Sequence, residues 1–139
     1  MPKYVFDTNH LSFFELRQSR VMSKWNSCPG DVVTTIVCVQ ELLRGRLGAI
    51  ASAKKPAHVM LSLRMLKESI EDCIPRFPIL PFDAPSESAF QIVRQHRPRI
   101  GVQDQRIAAI ALANRLTLVT SNTADFKGIS GLALDDWST

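Results

Sequence analysis

Short apolar runs alternate with longer amphipathic stretches along this chain of 139 residues. Residues 3–7, 32–36 and 117–120 are rich in β-branched, aromatic and leucine side chains, which favour buried strands. The stretches between them place apolar side chains at the spacing of a helix face. Because strands and helices alternate, the pattern predicts an α/β domain around a mainly parallel central sheet. Helices are predicted over residues 11–16, 19–26, 37–48, 57–72, 84–96 and 104–115.

Proline and glycine positions refine these boundaries. Three prolines bracket residues 77–82, and because proline cannot donate a ladder hydrogen bond, this segment is predicted as an edge or short strand. We expect the helix over residues 37–48 to end near Gly45 or Gly48. Residues 132–134 are predicted as a last short strand.

The composition is that of a globular protein, with 45% hydrophobic and 22% charged residues. No repeat, low-complexity tract or linker interrupts the chain, so we predict a single domain over residues 1–139. The formal net charge of +4 fits an anionic partner without requiring one.

The three cysteines, Cys28, Cys38 and Cys73, lack the spacing of a metal site, so we predict buried, reduced thiols. The first residues are too few and too soon charged for a signal peptide. No apolar run approaches the ~18 residues of a membrane span. We therefore expect a cytoplasmic protein that does not span a membrane.

Four carboxylates stand at the edges of apolar segments. Asp7 and Asp125 follow predicted strands, Asp104 opens a predicted helix, and Glu41 lies inside one. Ligands of open α/β sheets bind outside the carboxyl ends of the strands, which is where Asp7 and Asp125 are predicted to lie. Glu41 reaches the same edge only if its helix packs across it.

Gathering these acids in one place has an electrostatic cost. Two like charges ~4 Å apart repel by about 4 kcal/mol at an effective dielectric constant of 20. A fold that assembles several carboxylates therefore needs raised pKa values or a divalent cation. Because an oxygen-only ligand set suits Mg²⁺ or Mn²⁺, the pattern indicates metal-dependent phosphoryl chemistry.

At these residues the chain resembles the PIN-domain family, and within it the VapC-type toxins of toxin–antitoxin pairs. The resemblance implies a three-layer α/β/α sandwich, Mg²⁺- or Mn²⁺-dependent RNA cleavage, homodimers and a small antitoxin partner. It extends over nearly the whole chain, with the pieces in order and at similar spacing. The matching pieces are Val5-Phe6-Asp7-Thr8-Asn9, Glu41-Leu42-Leu43-Arg44-Gly45, Ile100-Gly101-Val102-Gln103-Asp104, Ile107-Ala108-Ala109 running into Ala111-Leu112-Ala113, Leu118-Val119-Thr120-Ser121-Asn122-Thr123-Ala124-Asp125-Phe126, and the closing Asp135-Asp136-Trp137.

The resemblance implies that the four acids form the catalytic metal site. Asp7, Glu41 and Asp104 would bind the metal directly or through water, and Asp125 would complete or extend the site. Each acid taken singly also has a plainer role as a helix cap, a surface helix residue or a turn residue. The residues expected to contact the substrate or its water shell are Thr8, Asn9, Arg44, Ser121 and Asn122, and capping, turn and surface roles remain open for them.

The chain departs from the family pattern at Thr123-Ala124, which is neutral where relatives often carry a basic residue. A contact to the RNA backbone is therefore missing there or made elsewhere. Other basic residues, Arg94, Arg97 and Arg99, are expected to be solvated surface, with contact to phosphates as the alternative. We expect His10 on the surface of the first helix.

Three hypotheses for function follow. The first is a metal-dependent endoribonuclease, the toxin of a type II toxin–antitoxin pair, which cleaves RNA phosphodiester bonds with a metal-activated water. The alternative is a non-catalytic PIN-like domain that binds RNA or protein. A phosphatase of the haloacid-dehalogenase type is disfavoured, because Asn9 stands where that chemistry normally uses a second aspartate after Asp7.

Overall fold

The centre of the molecule is a five-stranded parallel sheet with the strand order β3-β2-β1-β4-β5. The computed structural model describes residues 1–139. All five strands were predicted from local apolar composition, and β3 lies at an edge as its flanking prolines indicated. The strands are β1 (Tyr4–Phe6), β2 (Val32–Thr35), β3 (Ile79–Leu80), β4 (Thr117–Val119) and β5 (Leu134–Asp135).

The helices form a layer on each face of the sheet. The chain moves from β1 outward to β2 and β3, then crosses back to β4 and β5 on the other side of β1. Since parallel crossovers are right-handed, helices α1–α4 cover one face, and α5 and α6 cover the other. The resulting three-layer α/β/α sandwich confirms the predicted fold class. The helices are α1 (Thr8–Glu15), α2 (Ser19–Ser27), α3 (Ile36–Ser52), α4 (Pro56–Glu68), α5 (Ala84–His96), α6 (Val102–Ala113) and α7 (Thr123–Phe126).

The strand order reverses between β1 and β4, and such a switch point opens a crevice at the carboxyl ends of the two strands. Four contacts between helices close the sandwich around this crevice. Helix α5 packs along α6, and α3 packs on α1, α4 and the start of α6. The crevice is therefore surrounded by elements that come from both halves of the chain.

Helix α3 is longer than the sequence indicated. We expected it to end near Gly45 or Gly48, but it continues to Ser52. Neither glycine adopts the left-handed conformation of a C-cap, and a Cβ at either would meet open space. The helix begins where Thr35 accepts a hydrogen bond from the Cys38 N–H at 3.1 Å.

The interior is one cluster of 24 buried residues. The Phe6 ring lies at its centre, with the Phe77 ring 5.6 Å away and the Trp137 ring 5.2 Å away, edge to face. Trp137 is buried in this cluster. Cys38 and Cys73 are buried free thiols as predicted, whereas Cys28 is half-buried. No helix is long and apolar enough to cross a membrane.

Candidate active site

The crevice between β1 and β4 is lined by polar residues that directly follow the two strands. Asp7 follows β1 and caps helix α1, because its Oδ1 accepts the His10 backbone N–H at 2.8 Å. Ser121 and Asn122 follow β4, and the Asn122 N–H donates to the Thr120 hydroxyl at 3.0 Å. Asp125 lies one turn further on the exposed helix α7, which the sequence analysis did not predict.

Helices α3 and α6 bring two more acids to this edge. The Gln103 amide of α6 donates to the Gln40 amide oxygen of α3 at 3.0 Å, so the two helix starts meet. Glu41 is the next residue on α3, and Asp104 is the next residue on α6. Glu41 Oε1 accepts the Thr8 hydroxyl at 2.5 Å, which ties α3 to α1.

The electrostatics of Asp104 reflect this assembly. Burial raises the pKa of its carboxyl group, and the charges of Glu41, Asp7 and Asp125 raise it further, in that order. The charges of three other acids therefore act on Asp104, although all four lie far apart in the sequence. No lysine or arginine forms an ion pair with any of them, so no direct protein partner neutralises their charge.

His10 is fully buried, so its predicted place on the surface is wrong. Its Nε2 accepts the Trp137 backbone N–H at 3.2 Å, which leaves the ring hydrogen on Nδ1. Nδ1 then donates to Asp7 Oδ1, also at 3.2 Å. The sequence spacing of His10, Leu11 and Phe14 could have indicated this burial, because residues at these positions lie on the same, inner face of α1.

The two oxygens of Asp7 consequently differ. Oδ1 accepts hydrogen bonds from the backbone N–H and the ring of His10, whereas Oδ2 accepts none from the protein. A fixed carboxylate with one uncommitted oxygen is a suitable cation ligand. The C-terminal Trp137 thus acts on Asp7 through His10, although 130 positions separate Asp7 from Trp137 in the sequence.

The predicted substrate-contacting residues are distributed around the same edge. Thr8 binds Glu41, and Asn9 is exposed beside it. Arg44 is exposed on α3 and forms no ion pair, whereas its neighbour Arg46 turns inward to Glu15. The structure therefore brings Glu41, Asp7 and Asp125 within electrostatic reach of Asp104. Thr8 contacts Glu41, while Asn9, Ser121 and Asn122 follow the ends of β1 and β4, and Arg44 lies further along α3.

The donor set fits a hard divalent cation in its chemistry. The acids offer oxygen atoms only, carry uncompensated negative charge, and include the partly buried Asp104. No three acidic, histidine or cysteine side chains already stand in metal-ligating positions. A cation would therefore be held after small side-chain rotations, or partly through water molecules, as Mg²⁺ commonly is.

Comparison with known proteins agrees with this geometry. No family model matches the chain. The chain is 30% identical over 144 residues to the tRNA(fMet)-specific endonuclease VapC of Shigella flexneri, covering 99% of this chain and 100% of that protein. Among solved structures, DNA-bound VapBC from Salmonella typhimurium aligns with a TM-score of 0.79 at 24% identity over 99% of both chains. FitAcB from Neisseria gonorrhoeae aligns with a TM-score of 0.75 at 26% identity over 96% of both chains.

Proposed function

The chain belongs to the VapC family, and on that premise we propose that it is a metal-dependent endoribonuclease, the toxin of a type II toxin–antitoxin pair. The observation that carries the proposal is the acidic cluster, in which burial and three other carboxylates raise the pKa of Asp104, and no lysine or arginine is paired with any of the four acids. The relative from Shigella flexneri is named as a tRNA-specific endonuclease, which supports RNA as the substrate class.

Asp7, Glu41 and Asp104 would hold Mg²⁺ or Mn²⁺ directly or through water, and Asp125 would complete the site. When bound, the cation supplies an activated water and stabilises the charge that develops on the phosphoryl oxygens. The residues of the chain position these ligands. His10 holds one oxygen of Asp7, and the Thr8 hydroxyl holds one oxygen of Glu41. Phosphoryl transfer depends mainly on such positioning and charge stabilisation.

The polar groups beside the acids are suited to substrate contacts. The exposed amides of Asn9 and Asn122 and the Ser121 hydroxyl lie at the mouth of the crevice, where they would bond the scissile phosphate or its water shell. Arg44, exposed and unpaired on α3, would contact a phosphate further along the strand.

We also propose a small antitoxin partner and a homodimer. Solved structures similar to this chain include one named as a toxin–antitoxin complex from Klebsiella pneumoniae and one named as a member of the VapBC family of toxin–antitoxin systems, which supports an antitoxin partner. Helix α4 buries none of its residues fully and exposes Met60, Leu61 and Leu63, beside Leu47 of α3. An apolar surface of this kind is typical of a protein interface.

The nuclease activity is tested by incubating purified protein with a bulk tRNA and rRNA pool in Mg²⁺, in Mn²⁺ and in EDTA. We expect discrete cleavage products that require metal. Asp104→Asn should lower the rate more than about 100-fold, since loss of an outer-shell partner alone typically costs 10–100-fold. The matched control is Asp31→Asn, which removes a carboxylate at the opposite, amino edge of the sheet.

Two results would contradict the proposal. If the Asp104→Asn variant cleaves RNA at the parent rate, the acidic cluster is not the site of any nuclease activity. Tight RNA binding without cleavage, and without a calorimetric signal for Mn²⁺, would instead favour the non-catalytic binding domain.

A further inference from the structure

A basic loop lies beside Asp125, and the two line an open cavity. The cavity has a volume of about 350 Å³ and lies between the loop that joins α5 to α6 and the start of α7. Asp125 lines one side of this cavity, next to the small side chain of Ala124. The loop side of the cavity is lined by His96, Arg97, Pro98, Arg99 and Ile100.

The loop is held in place by the helix that carries Asp104. The buried Gln105 donates its side-chain amide to the Arg97 carbonyl at 2.9 Å. The Arg97 guanidinium also lies against Gly128, because a Cβ built there would stand 3.4 Å from Arg97 Nη2. Neither Arg97 nor Arg99 has a carboxylate partner, so both positive charges are available to a ligand.

A second cavity adjoins the first one. It has a volume of about 450 Å³ and shares Pro98 with the first cavity. The Arg94 and Arg106 guanidinium groups stand 5.8 and 5.9 Å from the Phe90 ring centroid on its walls. The two cavities, which share Pro98, are here together called the basic groove, and their cationic residues are Arg94, Arg97, Arg99 and Arg106.

The chemistry of the basic groove points to a polyanion with regularly spaced charges. A polynucleotide carries one phosphate per nucleotide, so a strand with one phosphate at the acidic cluster presents its next phosphates to successive arginines. An aromatic ring flanked by arginines adds a surface on which a base can stack. A single small anion would use only one end of the groove.

We propose that the basic groove holds the RNA strand on one side of the scissile phosphate. Arg97 and Arg99 bind the phosphates next to the cleavage site, and Arg94, Arg106 and Phe90 bind the strand further out. This inference rests on the proposed nuclease function. In this arrangement Arg97 and Arg99 of the α5–α6 loop supply the positive charge that the neutral Thr123-Ala124 does not provide.

The test uses Arg97→Gln, Arg99→Gln and the double variant, each in an Asp104→Asn background that binds RNA without cutting it. Affinity for a fluorescent single-stranded RNA of mixed sequence is measured in EDTA by anisotropy across a salt series. We expect about tenfold weaker binding per lost charge-assisted contact. The slope of log affinity against log salt should shrink by about 0.7 per lost phosphate contact.

The matched control is Arg115→Gln, which removes an exposed guanidinium just before β4, at the opposite edge of the sheet. Arg115 has a φ of 57°, a strain that both arginine and glutamine share, so the control changes charge alone. It should leave both affinity and salt slope unchanged. In the cleaving parent, the double variant loses two charge-assisted contacts and should raise KM for bulk tRNA about 100-fold, while kcat changes less than about twofold.

The outcomes separate the groove from the nuclease. Cleavage by the parent, with salt slopes equal in the Arg99→Gln and Arg115→Gln variants, would overturn the groove and leave the nuclease intact. No cleavage, with the slope still reduced, would leave the groove as an RNA site and overturn the nuclease. Full RNA affinity in the double variant, with loss of polyglutamate binding, would assign the groove to an acidic protein partner. Arg99 is exposed, so its replacement tests the proposal even where Arg97→Gln unfolds the chain.

Discussion

At the scale of single residues, the position of one buried histidine explains how an acid at a sheet edge is oriented. Asp7 closes β1 and starts α1, and a cap with free rotation would present either oxygen to the crevice. His10 removes that freedom, because its Nδ1 binds Oδ1 while its Nε2 is held by the Trp137 N–H. Orienting groups of this kind typically change metal affinity or activity by 10–100-fold.

We therefore predict that His10→Phe, which keeps a ring but removes both nitrogens, weakens Mn²⁺ binding about tenfold or more. His10→Asn places an amide donor near the position of Nδ1 and should recover part of that affinity. The measurement is Mn²⁺ titration by calorimetry or electron paramagnetic resonance, with a thermal melt to confirm folding. A role in packing alone predicts the reverse order, in which the ring-preserving variant binds better than the asparagine variant.

At the scale of elements, helix α3 shows two neighbouring arginines with opposite roles. Arg46 donates from Nε to Ser69 at 3.0 Å and pairs with Glu15, so it joins α3 to α1 and to the π-helical turn after α4. Arg44 has no such partner and faces solvent. The two arginines are two residues apart, a spacing that places them on different sides of a helix.

This difference predicts a split between stability and RNA binding. Arg46→Met should lower the free energy of unfolding by about 2 kcal/mol, because Glu15 keeps its charge and loses its cationic partner. Arg44→Gln should change stability by less than about 0.5 kcal/mol and weaken RNA affinity instead. Chemical denaturation and RNA anisotropy on both variants check this. Equal stability of the Arg46→Met variant and the parent would refute the structural role of Arg46.

Some elements of the fold can be predicted from the sequence, whereas the end of α3 and its contact with α6 cannot. Strands such as Val32–Thr35 were predictable because burial on both faces leaves a local apolar signature. The end of α3 was not, because Gly45 stops a helix only when it adopts a left-handed conformation. The meeting of Glu41 with Asp104 depends on the contact between α3 and α6, and periodicity within either helix carries no information about it. The family resemblance, not the pattern, led us to expect these acids together.

At the scale of the whole molecule, the sheet topology creates the acidic cluster at a cost in stability. Two crossovers in opposite directions leave β1 and β4 adjacent, and this adjacency brings the residues after both strands to one crevice. The α5–α6 loop is fixed to the same crevice through Gln105. The negative cluster and the basic groove therefore share one edge, which a net charge of +4 for the chain does not reveal.

The cost of the cluster predicts how the stability of the folded protein depends on pH and metal. Because the folded-state pKa of Asp104 is raised above its usual 3.8, the folded state binds more protons than the unfolded state just above that pH. Without metal, stability should therefore fall as pH rises through this window, and at neutral pH the cost is fully present.

Asp104→Asn should consequently stabilise the metal-free protein at pH 7, by roughly 0.5–2 kcal/mol, the usual range for such replacements. The exposed Asp72→Asn should not change stability by more than about 0.5 kcal/mol. Mn²⁺ at about 100 times its Kd should add about 2.7 kcal/mol to the parent and much less to the Asp104→Asn variant. Thermal melts from pH 4 to 8, in EDTA and in Mn²⁺, measure all three effects. Two results together would mean that the four carboxylates do not act as one site. The parent would melt at the same temperature in EDTA and in Mn²⁺, and the Asp104→Asn variant would be no more stable than the parent in EDTA.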